Sequence, residues 1–170
     1  MSRTKLPLWT IFKPEQVSML RTRAVEVPAA TITTADFQYL IDDMVKTMHQ
    51  ANGIGLAAPQ VGNSIRLAVI SPDADPSLHQ PLVLINPILT DHSPDQERGE
   101  EGCLSVPKVY GLVDRARRVT VKALDRTGQP FTLVGTGLLA RVMQHEVDHL
   151  NGTLFIDRTD RITTGRDLLP

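Results

Sequence analysis

The segment from Gly137 to Leu150 constrains this chain most, because it is apolar nearly all round at helical spacing. Leu139, Met143, Val147 and Leu150 form one side, while Leu138, Val142, His145 and His149 form another. A helix with so little polar face has to be covered by the rest of the fold, so it is expected at the centre of the molecule. Gly152 supplies its stop. Polar groups on such a helix need partners to offset desolvation. Those groups include His145, Glu146 and His149, in the order His-Glu-x-x-His. On a helix, residues i and i+4 project from one face about a turn apart. Two imidazoles placed this way can bind one divalent metal, and Glu146 can reach a metal-bound water as general base. The competing reading is a helix with two solvated histidines and an exposed glutamate; the apolar flanks count against it.

A catalytic site of this kind needs a third protein ligand and an open position. Metzincin proteases place a third histidine six residues after the second, where this chain has Phe155. The remainder of the chain beyond His149 contains no glutamate to serve instead. The third ligand is therefore expected upstream. Cys103, the only cysteine, lies in Glu100-Glu101-Gly102-Cys103-Leu104-Ser105-Val106-Pro107. A thiolate is a suitable soft ligand beside two imidazoles. Two other readings stay open, a buried small hydrophobe and a cysteine nucleophile with a histidine base.

The remaining pattern points to an α+β domain: mostly antiparallel sheets around the central C-terminal histidine helix, preceded by an N-terminal helix. Phe37, Leu40, Ile41, Met44, Val45 and Met48 make an amphipathic stripe that predicts a helix over 31–52, with Thr33 or Thr34 as cap and Asn52-Gly53 as stop. Short β-type runs follow at Ile65–Ile70, Leu82–Ile85, Val109–Val113, Val119–Leu124 and Phe131–Val134, with a turn at Asp125–Gly128. All 170 residues are expected to form a single catalytic domain. With 41% hydrophobic and 22% charged residues the balance is that of an ordinary globular protein. The formal net charge of -1 lacks the basic excess that nucleic-acid binding requires, so no direct nucleic-acid specificity is expected. A single cysteine forbids an internal disulfide and suits a reducing compartment. Arg3 and Lys5 are followed by Pro7 and Trp9 without an apolar signal core, and no apolar run is long enough for a membrane helix.

Gly53-Ile54-Gly55-Leu56-Ala57-Ala58-Pro59-Gln60 follows the predicted first helix. Its small residues permit close backbone approach to a ligand or another strand. It lacks the Gly-Lys-Ser/Thr end of a phosphate loop, and it follows a helix where a dinucleotide fingerprint follows a strand. A tight helix-to-strand turn is the plainer reading.

Together, residues 53–60, 101–105 and 144–149 resemble three motifs of the peptide deformylase family: Gly-x-Gly-Leu-Ala-Ala-x-Gln, Glu-Gly-Cys-Leu-Ser and Gln-His-Glu-x-Asp-His. They occur in the family's order without a substitution at a defining position. The resemblance implies hydrolysis of the N-formyl group from N-formylmethionine of new polypeptides, releasing formate by metal-bound hydroxide attack. It implies Cys103, His145 and His149 as metal ligands, Glu146 as catalytic acid/base, and Gln60 with the backbone N–H of Leu104 as oxyanion hole. Ile54 and Gly55 would line the peptide-binding edge, and Leu138 and Val142 are candidates for the methionine pocket. Glu101 would stand behind the ligands with Arg115 as its partner. The implied cofactor is one divalent metal, Fe(II), which Ni, Co or Zn can replace. The implied partners are N-formylated nascent peptides, near the ribosome exit region. The implied place is the bacterial cytoplasm, or an organelle for a processed form. Arg141 departs from members with an apolar pocket residue there, and the tail beyond Asp157 is short and polar. Two other functions share these residues: a zinc peptidase, and a non-catalytic module that binds blocked N-termini or holds a structural metal.

Overall fold

The computed structural model describes residues 5–169, so Arg3 lies outside the described residues. The chain runs through α1 (Pro14–Leu20), α2 (Ala29–Ile32), α3 (Ala35–Gln50), β1 (Gly55–Ala57), β2 (Leu67–Ile70), β3 (Leu82–His92), β4 (Gln96–Cys103), β5 (Val106–Ala116), β6 (Arg118–Leu124), β7 (Pro130–Thr136), α4 (Gly137–Leu150) and β8 (Arg161–Thr164). One sheet has the order β1-β2-β3-β6-β7 and the other β4-β5-β8. All the ladders between these strands are antiparallel. The α+β expectation, with a C-terminal helix, holds.

Side-chain alternation explains how the first sheet is covered. All four residues of β2 are buried. Leu67 and Val69 pack with Phe37, Ile41, Met44 and Met48 of α3. Ala68 and Ile70 point the other way, into a cluster with Leu139, Ala140, Val142, Met143 and Leu150 of α4. The sheet thus lies between the two helices, which is why the β2 run is continuously apolar. Each fully buried Leu, Ile or Met contributes about 1.5–3 kcal/mol relative to exposure. A third cluster, with Leu20, Val106, Val109, Val113 and Phe155, packs against the smaller sheet.

Several boundaries moved. The helix predicted over 31–52 starts at Ala35, and residues 29–32 form the separate short α2. Thr34 occupies the N-cap place, but its hydroxyl donates to the Thr31 carbonyl at 2.7 Å and caps nothing. At the other end Asn52 takes the left-handed conformation (φ 54°) and Gly53 N–H donates to Met48 O at 2.9 Å, closing the helix. The sequence reading did not include α1, β1, β4 or β8. The first has seven residues and only one buried, Leu20. Strand β4, Gln-Glu-Arg-Gly-Glu-Glu-Gly-Cys, shows neither apolar alternation nor high β-propensity. Its pairing with β5 from Gln96↔Ala116 to Cys103↔Val106 sets its conformation.

The histidine helix is anchored at its middle and at its C-terminal end. Gln144 clamps the end of β5: its Oε1 accepts from Ala116 N at 3.1 Å and its Nε2 donates to Ala116 O at 3.0 Å. Buried Arg66 donates to Leu150 O and Asn151 Oδ1 at the C-terminal end, satisfying a carbonyl that the helix leaves open. Gly152, with φ 76°, takes the chain away.

Candidate metal centre and active site

The β4–β5 hairpin turns at Leu104-Ser105, since Cys103 pairs with Val106. That turn delivers the thiol to the histidine face of α4. One ligand atom each from Cys103, His145 and His149 lies within 4.8 Å of the others. Cys103 Sγ is 3.2 Å from His149 Nε2, and the two imidazole rings stand 4.9 Å apart at 67°. One soft sulfur and two imidazole nitrogens, converging from two elements, fit a divalent cation. Buried Glu146 Oε2 and His149 Nδ1 make no hydrogen bond among the described residues. An orphaned carboxylate oxygen beside three convergent ligands is what a water-activating site would require. Phe155, at the metzincin third-histidine position, is buried and stacks at 6.4 Å from the His145 ring.

A ring of charges stands behind the ligands. Glu101 Oε2 is 2.9 Å from His145 Nδ1. Arg115 grips the same carboxylate bidentately, Nε to Oε1 and Nη2 to Oε2, both at 2.9 Å. Its Nη1 donates to Asp148 Oδ2 at 2.5 Å, and Arg158 donates to both Asp148 oxygens. Burial alone would raise the Glu101 carboxyl, but the hydrogen bonds from His145 and Arg115 hold it well below the usual carboxylate range. Glu101 is therefore ionised and accepts the His145 Nδ1 proton, which leaves His145 Nε2 free to ligate. Burial drives His149 well below an ordinary histidine, so it is neutral and able to ligate. Burial also pushes Glu146 up to about 7.

Arg115, Glu101 and Asp148 are all buried. Arg115→Ala is expected to destabilise the protein by about 3–5 kcal/mol, since it removes the buried cation that Glu101 and Asp148 share. Urea unfolding of the metal-loaded protein checks this; a loss under about 1 kcal/mol would show that the network is not structural.

The centre opens into a pocket of about 660 Å³ whose lining includes Ile54, Gly55, Gln60, Glu101, Cys103, Leu104, Leu138, Val142, His145 and Glu146. His149 is buried and does not line it. Gln60 sits in a short 3-10 turn, Ala58–Val61, where its Oε1 accepts from Ala57 N at 2.9 Å. That fixes the amide, so Nε2 faces Cys103 Sγ at 3.4 Å and Ser105 Oγ at 3.2 Å. Arg115 reaches the site only through Glu101 and does not line the pocket. Leu138 is half-exposed at the mouth, while Val142 is buried.

Gly55 is a close approach that leaves no room for a side chain unless Glu146 and Val142 shift. A Cβ there would lie 2.2 Å from Glu146 Oε1 and 2.9 Å from Val142 Cγ1. Gly55→Ala is expected to displace the Glu146 carboxylate and cut kcat/KM about 100-fold while leaving metal content intact. A normal rate in that variant would show that the carboxylate position is not critical.

Sequence reasoning passed over Asp148 and Ser105, and gave Arg141 only as a departure beside the side-chain pocket. Asp148 had a signal, a charged residue on the all-round apolar helix. Ser105, fully buried, donates its N–H to Cys103 Sγ at 3.3 Å; nothing in a lone serine announces that contact.

The polypeptide deformylase family model matches residues 10–164. Peptide deformylase 1 of Nostoc sp. is 46% identical over 153 residues, covering 89% of this chain and 82% of that protein. The Met-Ala-Ser-bound class I type b peptide deformylase of Acinetobacter baumannii superposes with a TM-score of 0.85 at 38% identity, over 92% of this chain and 99% of that one. A Synechococcus elongatus peptide deformylase in complex with actinonin gives 0.83 at 43% identity, over 94% and 83%. The chain belongs to the polypeptide deformylase family, and it is a metallohydrolase.

Proposed function

We propose that the chain removes the formyl group from N-formylmethionine at the start of nascent polypeptides, in the bacterial cytoplasm where such chains emerge. The observation that carries this reading is the meeting of Cys103, His145 and His149 beside the unpartnered Glu146 carboxylate, at the floor of a pocket edged by Gly55. The relative bound to Met-Ala-Ser holds a peptide with the sequence of a deformylated N-terminus, which supports the same substrate.

Cys103, His145 and His149 would hold one divalent metal, Fe(II) in our reading, with Ni, Co or Zn as substitutes. When bound, the cation acidifies a water and draws electron density from the formyl carbonyl. Glu146 accepts the proton of the attacking water and later delivers it to the leaving nitrogen. The Gln60 amide, held by Ala57, and the Leu104 N–H donate to the oxygen on which charge develops; one such donor is worth about 2.7–4 kcal/mol. Ile54 and Gly55 offer a free edge, since β1 pairs with β2 on one side only, and the peptide adds there as an extra strand. Leu138 and Val142 take the methionine side chain. Glu101 and Arg115 act from behind by fixing the His145 ring.

Formate release from a formyl-methionyl peptide, run anaerobically with iron beside metal analysis, tests the reading. Stoichiometric metal with steady formate release is expected. Cleavage of unblocked or internal peptides without formate would favour a zinc peptidase, and binding without turnover would leave a recognition module.

A further inference from the structure

We infer that Arg141 is a positioning residue that holds Glu101, and through it the His145 ring, at the metal centre; this rests on the metal-site reading above. Arg141 stands one turn of α4 before His145, where the resemblance suggested a residue shaping the side-chain pocket. It does line the pocket, yet its guanidinium is committed to the pocket wall. Nη1 donates to Glu101 Oε1 and to Val113 O, each at 2.9 Å, and Nη2 donates to Glu97 O at 2.6 Å. Its side chain is only 13% exposed.

Two independent observations mark this as a built arrangement. An ionised carboxylate has about four acceptor positions. Glu101 fills them with four donors: Arg115 Nε and Arg141 Nη1 on Oε1, Arg115 Nη2 and His145 Nδ1 on Oε2. Arg115 also serves Asp148, so it is pulled from two sides, and Arg141 supplies the opposing contact that fixes the carboxylate plane. The second observation is Gly99 in β4. A Cβ there would lie 2.8 Å from Arg141 Cζ and from Nη2, and 3.1 Å from Nε. The strand thus makes room for a guanidinium laid flat across its backbone. Neither Gly99 nor the acceptors Val113 O and Glu97 O is needed for a simple apolar pocket.

The test uses Arg141→Met, Arg141→Lys and Gly99→Ala in the full chain, with three readouts: cobalt affinity by chelator competition, the ring nitrogen signals of His145 in the metal-free protein, and kcat and KM separately. Arg141→Met and Gly99→Ala are each expected to weaken cobalt binding about 10-fold and to lower kcat with KM little changed. Both should also broaden or shift the His145 Nδ1–H signal. Arg141→Lys should fall between Arg141→Met and wild type. The Gly99→Ala/Arg141→Met double variant should be no worse than Arg141→Met alone, because both act on one contact. Wild-type cobalt affinity and an unchanged His145 signal in these variants would overturn the inference, and a change confined to KM would make Arg141 a pocket wall only. Should Arg141→Met fail to fold, Gly99→Ala and Arg141→Lys carry the same readouts. A wild-type protein that binds cobalt but releases no formate would defeat the deformylase reading alone, while the metal-free His145 signal still decides the role of Arg141.

Discussion

Glu146→Gln is expected to keep a full complement of metal and lose about 10²–10⁴-fold in kcat. The glutamine nearly matches the volume it replaces, and none of the three candidate ligands is touched. What disappears is the proton acceptor. The position is suited to that role because Glu146 is buried, its Oε2 has no hydrogen-bond partner, and its Oε1 faces Gly55 at the floor of the pocket. Burial raises its pKa to about 7 in the metal-free protein, with His145 pulling the other way. A bound dication is a further opposite charge and lowers that value. The base works only when ionised, so kcat/KM should hold above its pKa and fall as pH drops through it, with an acid limb below pH 7. Metal analysis, formate release and a pH profile on one preparation check these expectations. Wild-type turnover in Glu146→Gln would remove the proposed acid/base.

Cys103→Ala is expected to weaken zinc binding by about two to three decades, the share of one ligand in the about 10–16 kcal/mol of a four-ligand zinc site. Activity at limiting metal should fall with it. The prediction separates the two roles left open for a lone cysteine. A ligand variant loses metal and activity together, whereas a nucleophile variant keeps metal and loses activity. Steric disturbance is small, because Cys103 sits at a hairpin turn and the variant removes one atom. Dialysis against a graded chelator series, followed by metal analysis, gives the answer directly.

Much of this was legible in the sequence. The histidine helix was readable because periodicity, caps and motif coincide: apolar residues all round, Gly152 at the end, and two histidines on one face. The stripe from Phe37 to Met48 was readable for the same reason. The β-type runs were found where side chains alternate or cluster, as in Val119-Thr120-Val121 of β6. Strand β4 was not, because its eight residues are polar or glycine and only β5 makes them extended. That strand carries Glu101, which the Glu-Gly-Cys-Leu-Ser motif marks but whose extended conformation has no local signal of its own. Arg141 illustrates the remaining limit. Its place on the helix is plain from spacing, but the destination of a long flexible guanidinium depends on a glycine forty-two positions away in sequence. The resemblance named Arg115 as the partner of Glu101, whereas Asp148 shows its partners Arg115 and Arg158 only once the fold is assembled.

The account depends on Cys103, His145 and His149 sharing one metal ion. X-ray absorption at the metal edge of the zinc-loaded protein reads this shell directly. It is expected to show one sulfur at about 2.3 Å and two nitrogens at about 2.0–2.1 Å, with the remaining scatterer a light atom from solvent and the sulfur absent in Cys103→Ala. A wild-type shell of nitrogen and oxygen alone would contradict the assignment.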